Sequence, residues 1–110
     1  MRVSREMSFV ASHSHHGMLR EPQHAHEFRV VVTMEGAPNE EGFICDFRAV
    51  KRTFNRLVKL DGQDLDTLFE FPTSEVLARH IWHKLEPHFP LYSVEVKEKA
   101  HSAATYFGET

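Results

Sequence analysis

The stretch HAHEFRVVVTM, residues 24–34, alternates regularly between two kinds of side chain. Its even positions carry two histidines followed by apolar residues, namely His24, His26, Phe28, Val30, Val32 and Met34. The odd positions include the charged residues Glu27 and Arg29. A period of two residues is typical of a β-strand that buries one face. The sequence therefore predicts a strand from His24 to Met34, with both histidines on its apolar side.

The rest of the chain predicts three more strands and two amphipathic helices. The helices are indicated by apolar residues that recur every three or four positions, and Asp46 and Thr73 are suitable N-caps for them. The polar segment 14–23, which includes Gly17 and Pro22, predicts a loop between two antiparallel strands. The predicted strands cover residues 3–13, 24–34, 92–99 and 103–108, and the predicted helices cover residues 47–59 and 74–86. The order ββααββ predicts an α+β fold, a four-stranded antiparallel sheet with two helices on one face.

Size and composition limit the class of protein. A chain of 110 residues suits one domain, residues 1–110. The net charge of -3 disfavours nucleic-acid binding, so we interpret the basic face of the first helix as a solvated face. A nucleic-acid module that uses this face is the alternative. The single cysteine, the lack of an apolar run of roughly 20 residues and the absence of a signal segment predict a cytoplasmic protein without a membrane partner.

Histidine is unusually frequent, with nine in the chain and five of them between His13 and His26. His24 and His26 leave the same face of one strand about 6.6 Å apart. His13 ends the preceding strand on its apolar-facing side, so an antiparallel return brings it beside that pair. Three imidazoles with a fourth position open are the ligand set of a catalytic zinc. The sequence therefore predicts a Zn²⁺ site at His13, His24 and His26, whereas we interpret His15 and His16 as exposed loop residues.

Glu98 is the second unusual residue, because it continues the inward-facing row of Tyr92, Val94 and Val96. One interpretation is that the strand reaches solvent at this point. The other is that the carboxylate accepts paired N–H donors of a ligand such as a guanidine-like or pterin ring. The residues alone leave both interpretations open.

The predicted sheet also leaves two strand edges and an apolar face uncovered, which small proteins usually cover by association. A homo-oligomer is therefore expected.

Six motifs occur in order along the chain. They are Phe9-x-Ala11-x-His13, His24-x-His26, Gly42-x-x-x-Asp46-Phe47, Leu60-Asp61, Pro72-Thr73-Ser74-Glu75 and Val94-x-Val96-x-Glu98. This series resembles the 6-pyruvoyltetrahydropterin synthase family, which includes the 6-carboxytetrahydropterin synthases of the queuosine pathway, over residues 7–109. The resemblance implies the tunnelling fold (T-fold), in which trimers close a twelve-stranded barrel and stack into hexamers. It also implies zinc on the three histidines, Glu98 as the anchor of the pterin ring, and 7,8-dihydroneopterin triphosphate as substrate.

Two positions depart from the family pattern. Family synthases carry a cysteine four residues before the HxH pair and a histidine after the Leu-Asp pair, and these positions are Arg20 and Gly62 here. Cys45 precedes a helix start and is interpreted as a small core residue. Glu21 lies three residues before His24, a spacing that resembles a family branch that cleaves the dihydroneopterin side chain to 6-hydroxymethyl-7,8-dihydropterin for folate synthesis.

Two functions follow from these departures. The first is a zinc-dependent lyase that acts on a reduced pterin by carbon–oxygen or carbon–carbon cleavage, with Glu21 and Asp61 moving the proton. The second is a catalytically altered family member that binds pterin and zinc without synthase turnover.

Overall fold

The computed structural model describes residues 1–15 and 21–109, and side chains for residues 1–14 and 23–109. Its elements are β1 (Arg2–His15), β2 (Glu21–Glu35), α1 (Phe47–Leu57), a 3-10 turn (Leu65–Thr67), α2 (Ser74–Leu85), β3 (Leu91–Lys99) and β4 (Ser102–Tyr106). The predicted ββααββ order is confirmed. Most strand bounds extend one to three residues beyond the predicted ones, but β4 ends at Tyr106 and α1 at Leu57. Helix α1 is shorter than predicted because Lys59 adopts a left-handed conformation with a φ of 52°.

The four strands form one antiparallel sheet in the order β1-β2-β3-β4. In the register of β1 and β2, Phe9 lies opposite Phe28 and His13 lies opposite His24. Strand β3 joins the other side of β2, where Val96 lies opposite Val30. The two long strands therefore carry the candidate histidines to one end of the sheet on a continuous ladder.

The hydrophobic core fills the space between the sheet and the two helices. The fully buried strand residues Phe28, Val30 and Val96 share one face of the sheet. Helix α2 is the main cover, and its buried residues are Leu77, Ala78, Ile81, Trp82 and Leu85. Each large apolar side chain buried in this way stabilises the fold by about 1.5–3 kcal/mol before its lost conformational freedom is counted. The core thus determines which face of the sheet is buried, and the candidate histidines lie on that same face.

The other face of the sheet is polar, so the expectation of an uncovered apolar face is wrong. Glu27, Arg29, Glu95 and Lys97 occupy positions of β2 and β3 that alternate with the buried ones. Because successive side chains of a strand point to opposite faces, these charged residues lie on the face away from the helices. The argument for association then rests on the two edge strands, β1 and β4.

Part of the β1 edge is covered by the segment after α1. The Gly62 amide donates to the Val10 carbonyl at 2.7 Å, and the Ser12 amide donates to the Gln63 carbonyl at 3.0 Å. Gly62 reaches this position with a φ of 76°, a conformation that glycine adopts without strain. The residue that stands where the family has a histidine therefore ties this segment to the strand that carries His13.

The interpretation of Cys45 as a small core residue agrees with its position. Its side chain is half-buried and packs against the core. Burial, helped by the neighbouring Asp46 carboxylate, raises the pKa of the Cys45 thiol. A thiol of this kind stays protonated at neutral pH and is a poor nucleophile.

Gly108 provides a stability prediction. It has a φ of 84°, and a Cβ added there lies 2.5 Å from a ring carbon of Trp82. We expect Gly108→Ala to lower the free energy of unfolding by more than the about 1–3 kcal/mol cost of a left-handed backbone alone. Gly42→Ala is the matched control, because Gly42 has a φ of 93° and open space around it. Urea denaturation measures both variants, and equal losses would show that the contact with Trp82 carries no cost.

Candidate metal centre

The three predicted histidines and Glu98 meet at one end of the sheet, on the face that the helices cover. His13 ends the regular part of β1, and it lies directly opposite His24 on β2. His26 lies two residues further along β2, on the same face. Glu98 follows Lys97, the last residue of β3 that pairs with β2. The registers of three strands therefore bring four side chains to a common point.

The atoms that these residues present are close enough to share one ion. One possible ligand atom from each of the four residues lies within 4.8 Å of the others. The Nε2 atoms of His24 and His26 are 2.6 Å apart. Glu98 Oε1 lies 3.0 Å from His13 Nε2, 2.7 Å from His26 Nε2 and 3.9 Å from His24 Nε2.

The orientation of His13 is set by a backbone carbonyl. The ring is fully buried, and its Nδ1–H donates to the carbonyl of Pro72 at 3.1 Å. A carbonyl only accepts, so this bond places the proton of the neutral ring on Nδ1 and leaves the Nε2 lone pair facing the cluster. Histidines that ligate metals are commonly held by such a bond. Pro72 directly precedes Thr73, the N-cap of α2, so the start of this helix positions the ring.

Two further contacts hold the end of β1 in place. The Ser14 amide and hydroxyl donate to the two oxygens of Asp66, at 3.1 Å and 2.7 Å respectively. The ring of Phe28 lies beneath the cluster, with its centroid 5.3 Å from that of His13 and 5.7 Å from that of His26. The candidate ligands therefore stand on the packed core and not on a free loop.

Burial and the neighbouring charges shift the pKa values of two members of the cluster. Burial lowers the pKa of His26 and the neighbouring histidines add to this effect, although the Glu98 carboxylate opposes it. Burial alone disfavours ionisation of Glu98, but the positive charge of protonated His13 or His26 outweighs it and lowers the pKa of the carboxyl group. A neutral imidazole and an ionised carboxylate are the metal-binding forms of these groups.

The donor set fits zinc. Imidazole nitrogen and carboxylate oxygen are both common zinc ligands, and four such atoms are sufficient for a tetrahedral site. The side chains of His24 and His26 are 29% and 21% exposed, so the site is open to solvent on the β2 side. His13, in contrast, presents its Nε2 atom from the fully buried side of the site.

Of the two predicted proton-transfer residues, Asp61 is not part of this cluster. Asp61 lies on the outer edge of β1, where its Oδ1 accepts a hydrogen bond from the Val10 amide at 2.9 Å. The backbone of Glu21 begins β2 and pairs with His15. The side chains of Glu21 and His15 lie outside the described residues, as do His16 and Arg20. The catalytic assignments of Glu21 and Asp61 therefore stay predictions.

Sequence reasoning missed Pro72 and Asp66, the two groups that hold His13 and Ser14. Both lie between α1 and α2, in or just after a segment that carries no periodic pattern. In the sequence, the pair Pro72-Thr73 indicates a helix start and belongs to one of the six motifs, but it does not indicate a contact with His13. The sequence carries no signal for the role of Pro72, because a backbone carbonyl acts independently of its side chain, and the role of Asp66 depends on a contact with a residue 52 positions earlier in the chain.

Residues 2–109 match the family model for 6-pyruvoyl tetrahydropterin synthase. The chain belongs to this family. A 6-carboxy-5,6,7,8-tetrahydropterin synthase of Synechocystis is 40% identical over 96% of the chain and 92% of its own length. A dihydroneopterin monophosphate aldolase of Pyrococcus furiosus is 30% identical over 81% of the chain and 78% of its own length.

The fold comparison agrees with this family membership. The structure of Caenorhabditis elegans 6-pyruvoyl tetrahydropterin synthase superimposes with a TM-score of 0.85 and 22% identity, covering 99% of this chain and 96% of its own. The predicted tunnelling fold of the single chain is thereby confirmed. Among the described residues, no helix is long and apolar enough to cross a membrane.

Proposed function

We propose that this family member is a zinc-dependent enzyme that cleaves a carbon–oxygen or carbon–carbon bond in the side chain of 7,8-dihydroneopterin or its phosphates. The observation that carries the proposal is the convergence of His13, His24, His26 and Glu98 within 4.8 Å on the helix-covered face of the sheet. Family membership supports a pterin as the substrate class.

Each residue of the cluster has a distinct part in this proposal. His13, His24 and His26 would hold the zinc, which when bound supplies a Lewis acid for the oxygens of the pterin side chain. The carboxylate of Glu98 accepts hydrogen bonds from the N–H groups of the pterin ring, an ionic type of hydrogen bond that is stronger than a neutral one. The bond from His13 to the Pro72 carbonyl keeps the buried ring oriented while the substrate enters from the exposed side.

A base is also needed, since the sequence has Arg20 and Gly62 where the family has cysteine and histidine. We assign this role to Glu21, with Asp61 as its partner. Both carry a carboxylate group, which can accept a proton from a positioned hydroxyl group.

The relatives suggest two reactions that one experiment separates. We would incubate the zinc-loaded protein with 7,8-dihydroneopterin, its monophosphate and its triphosphate, and identify the products by mass spectrometry. 6-Carboxytetrahydropterin from the triphosphate supports the synthase, whereas 6-hydroxymethyl-7,8-dihydropterin supports the aldolase. Binding without any product supports the alternative, a family member that retains zinc and pterin but has lost turnover.

We also propose that the chain is a single domain, residues 1–110, that works in the cytoplasm without a nucleic-acid or membrane partner. The net charge of -3 and the lone half-buried cysteine support this assignment. The basic side chains of α1 are exposed, as expected for a solvated helix face.

We further propose that the protein is a trimer-based homo-oligomer that is complete as a hexamer of two stacked trimers. Strands β1 and β4 are the edges of the sheet, and pairing them between copies satisfies backbone groups that water otherwise binds. We expect light scattering at micromolar concentration to report about six subunits, consistent with closed symmetric assembly. A mass of three subunits would agree with a trimeric barrel and contradict the stacking of two trimers into a hexamer. A mass of one subunit would contradict both the barrel and the stacking.

A further inference from the structure

Only part of the outer edge of β1 is covered by the chain itself. From Val10 onward, segment 61–66 forms hydrogen bonds with the outward backbone groups of the strand. Alternate residues of a strand direct their backbone groups to the same side, so Ser4, Glu6 and Ser8 direct theirs to this edge as well. Among the described residues, no segment outside the sheet hydrogen-bonds to the backbone of these three. The edge is therefore open before Val10.

Strand β4 has a free outer edge of its own. The Phe107 amide, just after the strand, donates to Glu109 Oε1 at 2.8 Å. The alternation of inward and outward backbone groups, followed through the paired residues of the sheet, turns Ala103 and Thr105 away from β3. The register shift between β3 and β4 leaves this direction unchanged, because its extra residue lies in β3. Ala103, Thr105 and Phe107 therefore face any strand that pairs with β4.

The two free edges favour one register between copies. Opposite residues of an antiparallel pair share a face, so the odd-numbered residues of β4 lie opposite even-numbered residues of β1. Pairing Ala103 with Ser8 and Thr105 with Glu6 brings β4 of a second copy up to the start of segment 61–66, and the edge then has no gap. A slip by two residues in one direction leaves Ser8 unpaired, and a slip in the other direction collides with segment 61–66.

Arg5 lies within the same stretch of β1, on the helix-covered face. Its Nε–H group is buried and has no hydrogen-bond partner among the described residues. A cavity of about 420 Å³ beside it is also lined by Lys51 of α1. The two carboxylates at this cavity belong to Glu6 and Glu27, which alternate to the polar face. A buried donor without an acceptor is costly, so this site is incomplete in the single chain.

We propose that a second copy of this chain completes the site, with its β4 paired to β1 in this register and its Glu109 carboxylate bound to Arg5. This inference rests on the proposed function, of which the homo-oligomer is a part, and it adds the register of the contact and an ionic pair within it. Phe107 of the second copy then lies opposite Ser4, the neighbour of Arg5. The Glu109 carboxylate is exposed and bound to the outward Phe107 amide, so it lies on the edge that meets β1. Paired strands are about 4.8 Å apart, a gap that an arginine side chain spans.

The charges favour β4 as the partner of this edge over a second β1. Arg5 and Lys51 give the cavity two cations, and Glu109 brings an anion to them. If two β1 edges paired instead, the Arg5 and Lys51 side chains of both copies would meet, and like charges brought together at an interface oppose binding. A contact between β1 and β4 is also head-to-tail, and contacts of this kind generate rings when the rotation closes.

Disulfide trapping tests the register. In a Cys45→Ala background, Ser8→Cys/Ala103→Cys places two cysteines directly opposite each other, with Cα atoms about 5.5 Å apart, which is within disulfide range. We expect mild oxidation to link the copies covalently, with a trimer as the closed product on a non-reducing gel. Glu6→Cys/Ala103→Cys is the matched control, because its cysteines meet only if the register slips by two residues. Cross-linking of the control, or of neither variant, would overturn the register.

Charge reversal tests the ionic pair. We would measure the oligomer mass over a dilution series by sedimentation velocity for Arg5→Glu, for Glu109→Arg and for the two changes combined. Because each single change brings like charges together, we expect it to raise the concentration at half-dissociation by at least about tenfold. The combined variant restores opposite charges and should recover most of this loss. Arg56→Glu, an exposed change on α1, is the control for net charge.

Parental dissociation in both single variants, or no recovery in the combined variant, would overturn the ionic pair. If the parent protein were a monomer at micromolar concentration, the proposed oligomer would fail together with the inference, and the mass of the parent alone would show this. Circular dichroism verifies the fold of each variant. Arg5→Gln, which removes the charge without adding a repulsive one, gives a milder variant with the same expected direction.

Discussion

Replacing both His24 and His26 with alanine is expected to remove zinc from the purified protein, from about one ion per chain to none. The double variant retains His13 and Glu98 as the candidate ligands, and two ligands do not hold zinc against buffer and chelators in a site built for four. Their rings also pack against each other and against Phe28, with centroid distances of 4.2 Å between them and 5.7 Å from His26 to Phe28. Some loss of stability therefore accompanies the loss of metal.

Metal analysis after dialysis measures this result, with circular dichroism to verify the fold. The control is the double variant His83→Ala/His88→Ala, because both of these histidines are exposed and lie outside the cluster. Undiminished zinc in the first variant would place the metal elsewhere in the protein. Equal loss in both variants would show that the zinc is bound adventitiously by histidines in general.

The strand periods explain why the histidine part of the site was predictable. The period of two in β1 and β2 places His13 on the face that carries Phe9, and it places His24 and His26 on the face that carries Phe28. A short polar connection implies antiparallel pairing, and the two apolar faces must then coincide. The alternation within each strand and the need for one buried face were therefore sufficient to predict that His13, His24 and His26 lie close together.

The position of Glu98 required information that no local pattern contains. Its parity with Val94 and Val96 predicts an inward-facing carboxylate, and the structure has it 15% exposed. Its distance from His26 depends on the register between β2 and β3, which are separated in the chain by both helices. A shift of that register by two residues keeps the same face and moves the carboxylate by about 6.6 Å, out of reach of the histidines.

The polarity of the open sheet face was predictable, and the expectation was still wrong. Glu27 and Arg29 occupy the alternate positions of β2, and Glu95 and Lys97 those of β3. Their alternation with buried valines already indicates a wet second face. An antiparallel sheet does not need a hydrophobic cover on both sides, so association is better argued from the unpaired edges than from that face.

Glu21 presents the opposite case, a residue chosen by spacing and family resemblance. Glu21 is the first residue of β2, and its backbone pairs with that of His15. The register shifts between His13 and His15, so this pairing differs from the one that a regular ladder predicts. The backbone of Glu21 thus lies at the end of the sheet that carries the histidine cluster, which supports Glu21 as a candidate for the base that replaces the family cysteine.

Glu21→Gln should therefore slow the reaction without removing the metal or the substrate. General bases typically contribute about 10²–10⁴-fold to a rate, and glutamine has the shape of glutamate without a basic oxygen. We expect kcat for the dihydroneopterin substrate to fall by that factor, with zinc content and pterin binding unchanged. Glu98→Gln is expected to differ by weakening pterin binding, because it removes the proposed acceptor of the ring N–H groups.

The control for Glu21 is Glu27→Gln on the same strand, since the Glu27 carboxylate is exposed and lies 3.6 Å from Arg29 on the polar face. Measured side by side, a large fall in kcat for Glu21→Gln alone identifies the base. If Glu21→Gln turned over at the parental rate, Asp61 would become the candidate base. The variant Asp61→Asn would then show whether this carboxylate takes part in the reaction as well as accepting a hydrogen bond from the Val10 amide. A parent protein that binds pterin but converts none would remove the need for a base altogether. The loss of the family cysteine and histidine at Arg20 and Gly62 would then mark the change from an enzyme to a binding protein.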